Sequence, residues 1–224
     1  AELYEFAQAI EATKKAYPFV FSRQDLYLIY GALTWWAQYD GYEKYYDYYQ
    51  GYYTKEDGTK AIALNGENMD SPGRKKSLEV CAKLYAKSAG FTHNSAASMT
   101  YAEAQTAFVG QGYKGRDLKE VAMMTVGDWV QNEMGIYLAQ KPQELRMMRT
   151  PIISSIVEQL EDKNMSDAKL RELVDAIDAG ETSCAGVADN DFARVKEARM
   201  MGCCANSDHP VAIPKTSAKQ DLAK

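Results

Sequence analysis

The residues of this 224-residue chain that could carry reaction chemistry are two histidines, four cysteines and one glycine-rich loop. None stands in the spacing that a reaction needs. His93 lies in Thr92-His93-Asn94-Ser95, with Ser98 nearby. A nucleophilic triad also needs an acid brought to the histidine in space, and the chain has no Gly-x-Ser-x-Gly elbow, so His93 reads as a surface-loop histidine. Cys184, Cys203, Cys204 and His209 are zinc-type ligands. They lack a Cys-x-x-Cys pair, so no metal is expected. The adjacent Cys203 and Cys204 cannot easily bond each other, whereas Cys184 with either of them could close a disulfide around the last helix. Gly110-x-Gly112-x-x-Gly115 matches the dinucleotide fingerprint letter for letter. That fingerprint requires a preceding strand, and Thr100 to Phe108 reads as helix, so the match is accidental and no cofactor is expected.

Binding chemistry has a stronger signal. Between Trp35 and Tyr53 stand ten aromatic residues, eight of them tyrosine. Trp35, Tyr39, Tyr42, Tyr46, Tyr49 and Tyr53 recur at steps of four, three, four, three and four, which places them on one face of an α-helix. Tyr45, Tyr48 and Tyr52 widen that face, and Asp40, Glu43, Lys44, Asp47 and Gln50 fall opposite. Aromatic faces commonly bury themselves in a core. A dry interior, however, must find a partner for every phenol, at a cost of about 1–3 kcal/mol for each one left unmade. Tyrosine and tryptophan are enriched where proteins dock. The six stripe residues are therefore the predicted partner-binding set, with Tyr46 and Tyr49 as its anchors.

These side chains need elements to hold them, and the chain reads as all-α: an irregular multi-helix bundle with a long aromatic-rich N-terminal helix. A first helix is predicted over 3–15 and is interrupted by Pro18. The aromatic helix follows over about 22–53, with Ser22 and Asp25 at its start and Leu28 and Ala32 extending the stripe. It spans roughly 45 Å if unbroken, and Gly41 is the natural place for a break. Turn signals mark a loop over 54–72, in which Ala61-Ile62-Ala63-Leu64 could form a short strand or an extended arm. Further helices are predicted over 74–88, over 100–108 behind a Thr100/Glu103 capping box, over 117–141, over 142–162 with a kink or split at Pro151, over 166–179 and over 189–201. The expected organisation is one helical domain over 1–205, with a soft boundary in the loop 54–72, and an extended tail over 206–224.

Composition bounds the rest. Apolar residues make up 46% and charged residues 25%, values of an ordinary globular chain. A net charge of −5 without a basic cluster disfavours a nucleic-acid partner. No stretch approaches the apolar length of a membrane span, so any membrane-complex association is peripheral. Ala1 could follow removal of Met or of a targeting peptide, and the compartment stays open. The segment from Lys196 to Gly202 resembles the end of the pigment-binding helix motif of chlorophyll light-harvesting proteins, which pairs a glutamate with an arginine five residues later. Arg194 stands at the glutamate position here, and the membrane-spanning run is missing. The resemblance covers under a dozen residues, gives no family, and implies at most a soluble partner of such an assembly.

The expected function is non-catalytic: a docking or linker subunit of a larger assembly that binds other protein subunits through the Tyr/Trp face. One alternative is a small-ligand, pigment or glycan binding module, which requires a concave, tyrosine-lined cleft. A second is an α-helical hydrolase, which requires a cleft holding paired carboxylates.

Overall fold

The structure is a computed structural model that describes residues 2–22, 29–55, 57–127 and 129–201. The fold is mixed α/β rather than all-α. Helix α1 (Glu2–Ala12) leads into strand β1 (Ala16–Val20), and two helices follow, α2 (Ile29–Asp40) and α3 (Tyr42–Tyr49). A hairpin of β2 (Tyr52–Thr54) and β3 (Lys60–Ile62) precedes α4 (Pro72–Tyr85) and α5 (Tyr101–Phe108). Strand β4 (Glu120–Met124) and the short helices α6 (Val130–Glu133) and α7 (Gly135–Gln140) come next. The last described elements are α8 (Asp167–Asp178) and α9 (Asp189–Met200). Asp25, Leu28, Cys203, Cys204, His209 and the tail over 206–224 lie outside the described residues.

The strands overturn the all-helical reading. β1 and β4 run parallel, with Ala16 beside Glu120, Tyr17 beside Val121, Phe19 beside Met123 and Val20 beside Met124. The β1 sequence Ala-Tyr-Pro-Phe-Val is aromatic and β-branched, and four of its five residues are buried. Such a segment suits a pleated, enclosed surface. On its other side Phe19 N–H donates to the Phe91 carbonyl, and Phe19 C=O accepts from His93 N–H, at 2.9 Å each. β4 occupies the start of the segment that spacing assigns to one helix over 117–141. Its apolar residues fit the two-residue period as well as the helical one, and pairing with β1 decides between them.

The helix predicted over 142–162 is also absent. Residues 142–153 run without helix, and a 3₁₀ turn covers Ser154–Gln159. Pro142 and Pro151 remove backbone donors and disfavour helix in the residue before each. Side chains from elsewhere pair with three backbone groups at the end of this segment. Trp35 Nε1 donates to Pro151 C=O at 3.1 Å, Gln38 Oε1 accepts from Ile153 N–H at 3.0 Å, and Arg199 donates to Thr150 C=O at 3.3 Å.

Other helices sit where local signals put them. Thr100 and Glu103 form the reciprocal capping box of α5. Ser166 accepts from Lys169 N–H at the start of α8, and Leu170, Leu173 and Ile177 form the buried face of that helix. The largest core cluster joins Ala7, Phe19, Trp35, Tyr39, Tyr85 and Ile156 to the buried faces of α8 and α9. No helix among the described residues is long and apolar enough to cross a membrane.

Candidate interaction surface

The aromatic segment is two helices and a strand, not one helix. Gly41 has φ of 85° and divides α2 from α3. That left-handed backbone is open to glycine at little cost and turns the chain out of its helical path. The three-and-four count continues through Gly41 in sequence but not in space. Residues on one predicted face therefore point to different surroundings.

Trp35 and Tyr39, before the break, belong to the core. Trp35 is 3% exposed and stacks on Tyr85 with centroids 6.3 Å apart. Tyr39 is buried and donates to Glu158 Oε2 at 2.7 Å. Burial, and then this hydrogen bond to a carboxylate, raises the Tyr39 phenol above its ordinary pKa. After the break, α3 buries Tyr45 against Trp36, with ring centroids 5.4 Å apart. Its outer side carries Tyr42, Tyr46 and Tyr49, exposed by 60%, 50% and 55%. The Tyr42 and Tyr46 rings stack in near-parallel planes, 19° apart at 5.9 Å. Tyr53 is half-buried on β2, opposite Ala61.

The hairpin extends this surface. Tyr52 pairs with Ile62 across β2 and β3, and both are exposed. Leu64, two residues beyond Ile62, is also exposed, as is Met69, whose sulfur accepts from Tyr48 Oη at 3.4 Å. Ile62, Leu64 and Met69 were not among the predicted binding residues. For Ile62 and Leu64 the signal that could have found them is their two-residue step between turn sequences.

A cleft of about 270 Å³ lies elsewhere, between α1, α4 and the segment 151–155. Its lining includes Leu3, Tyr4, Trp35, Lys83 and Ile153, and none of Tyr42, Tyr46 or Tyr49. It is thus not the tyrosine-lined cleft that a ligand module on this face requires. Of its two carboxylates, Glu2 and Glu79, Glu2 is held by Arg171 at 2.6 Å.

His93 is a correction: it is buried, not a surface-loop residue. Its Nδ1 accepts from Ser95 N–H at 3.1 Å, which puts the proton of the neutral ring on Nε2. Nε2 lies 3.3 Å from Asp117 Oδ2 without completing a hydrogen bond. The same oxygen accepts from Tyr17 Oη at 2.9 Å, and Asn94 Nδ2 donates to Tyr17 Oη at 2.9 Å. Burial, reinforced by Asp117, pushes the Tyr17 phenol up to about 12. With Nδ1 engaged by the Ser95 amide, His93 has no ring nitrogen free to take a serine proton. The cluster ties β1 to the loops around residues 94 and 117 and does not form a triad. Local spacing could not reveal it, because Tyr17 and Asp117 are far from His93 in sequence.

Burial lowers the His93 pKa, the Asp117 charge opposes that shift, and Lys119 adds to it. A histidine whose folded pKa is depressed favours the fold in its neutral form. Its contribution is complete above the unfolded value of about 6.5 and declines as pH falls through that value toward the folded one. Urea midpoints measured from pH 7.5 to 5 are therefore expected to fall more steeply for the native chain than for His93→Gln. Parallel curves would show that the ring does not titrate against the fold.

Cys184 is half-buried, and its predicted disulfide partners lie outside the described residues. Comparison with protein-family models, curated protein sequences and solved structures found no match.

Proposed function

We propose that this chain is a non-catalytic docking or linker subunit of a larger protein assembly. It engages other protein subunits through Tyr42, Tyr46 and Tyr49 of α3 and the adjoining hairpin residues Tyr52 and Ile62. One observation carries the reading: three tyrosines of one eight-residue helix stand at least half exposed, while Tyr45 of the same helix is buried. Exposed aromatic patches of this kind mark binding surfaces, where water and partner groups satisfy the phenols. Trp35 and Tyr39, as core residues, drop out of the partner-binding set, and Tyr53 contributes from its edge.

Tyr46→Ala is the direct test. It is expected to weaken association by more than about 1 kcal/mol if Tyr46 is an anchor, with the melting temperature nearly unchanged. Tyr49→Ala is expected to act in the same direction with some added loss of stability, because Tyr49 Oη also bonds Tyr45 Oη at 3.1 Å. The readout is the mass of the native particle that carries the chain, compared with 25.0 kDa for the chain alone. A native particle of monomer mass, unmoved by either substitution, would refute the subunit reading. Saturable binding of a pigment or glycan lost in Tyr46→Ala would favour a ligand module instead.

A further inference from the structure

We propose that Arg194 and Glu197 of α9 form a clamp that sets the position of α3 relative to α2. The break at Gly41 leaves two helix ends facing each other, and each end carries backbone groups without intrahelical partners. The local sequence does not satisfy them: Gly41 stands at the N-cap of α3 and supplies no side-chain hydrogen bond. α9 supplies the missing partners. Arg194 Nη2 donates to the carbonyls of Gln38 and Tyr39, the latter at 2.9 Å, at the carboxyl end of α2. Glu197 Oε1 accepts from Tyr42 N–H at 3.1 Å, at the amino end of α3. Glu197 Oε2 also pairs with Arg194 Nη1 at 3.2 Å.

The charges match the ends they touch. A cation meets the negative end of α2 and an anion meets the positive end of α3. Both come from one face of α9, three residues apart. α9 itself is well fixed. Phe192, Val195 and Ala198 are in the core, and Arg199 grips Asp178 of α8 through two nitrogens, at 2.9 and 2.6 Å. α3 is less secure. It has eight residues, of which Tyr45 and Asp47 are buried, and a helix of that length does not hold itself in water. Trp36 and the hairpin support one side of α3, and the clamp fixes the end next to the break at Gly41. If the docking reading holds, the clamp also fixes the direction in which Tyr42, Tyr46 and Tyr49 are presented.

Hydrogen exchange of the full chain tests this with no partner present, so its outcome is separate from that of the docking experiment. Glu197→Ala is expected to speed exchange in residues 42–45 by about five-fold, the scale of a lost helix cap, with α8 unchanged. Glu197→Gln, whose amide oxygen can still accept from Tyr42 N–H, is expected to retain most of the protection. Unchanged exchange in residues 42–45 of Glu197→Ala would overturn the proposal. So would an equal rise in α8, which would make Glu197 a residue of general stability.

Discussion

Trp35→Ala is expected to lower the unfolding free energy by about 3–5 kcal/mol, while Tyr46→Ala changes it by no more than about 0.5 kcal/mol. The two residues belong to the same three-and-four repeat, yet the break at Gly41 separates their fates. Trp35 is enclosed by Tyr85 and the segment around Pro151, and its indole N–H satisfies a carbonyl in a stretch with no helix to do so. Truncation leaves a large cavity and one orphaned carbonyl. Tyr46 leaves neither, because its ring stands in solvent beside Tyr42. Trp35→Phe should fall between them, keeping most of the volume and losing the bond to Pro151. Urea unfolding of the three variants checks the ordering. A mild Trp35→Ala or a severe Tyr46→Ala would mean that the repeat does act as one face.

How much was legible follows from where each signal is stored. The caps of α5 and α8 rest on residues three apart, so Thr100 with Glu103 and Ser166 before its apolar face announce those helices locally. Strands β1 and β4 rest on contacts between residues about a hundred positions apart. Val121 and Met123 become a strand because Tyr17 and Phe19 are there to pair with them. The same dependence explains residues 150–153, where side chains from α2 and α9 pair with Thr150 C=O, Pro151 C=O and Ile153 N–H.

The tyrosine surface was legible as a concentration of residues but not as a direction. Spacing alone continues a helical face through any residue. A positive φ at Gly41 rotates everything after it, and the new phase is set by Trp36, which draws Tyr45 inward. Residues outside the strict repeat thereby become buried, and Tyr42, Tyr46 and Tyr49 face out. The Arg194–Glu197 pair was equally hidden. In sequence it looks like an ordinary surface pair on one helix, and only the fold shows that its two charges reach the two ends of a broken helix. The likeness to a pigment-binding helix ends at the same residues. Arg199 is engaged by Asp178 and Thr150, and Arg194 by the carbonyls of α2.

Asp191→Ala is expected to destabilise the chain by about 1.5–3 kcal/mol, more than any surface ion pair described above. Asp191 is buried in the first turn of α9. Its carboxylate accepts from Glu161 N–H at 2.6 Å and from Asp162 N–H at 3.1 Å, one donor to each oxygen. A buried carboxylate is costly unless it is fully hydrogen-bonded, and here two amides and the positive end of α9 hold it. Asp191→Asn separates charge and geometry from volume. The asparagine fills the same space but turns an NH₂ toward one of the two backbone donors, so one bond becomes a clash of donors. It is therefore expected to lose nearly as much stability as the alanine. If Asp191→Asn instead melts with the native chain, the carboxylate does not carry the junction between α9 and the residues before α8, and the rigid base assigned to the Arg194–Glu197 clamp would have to come from Asp178 and the apolar face of α9 alone.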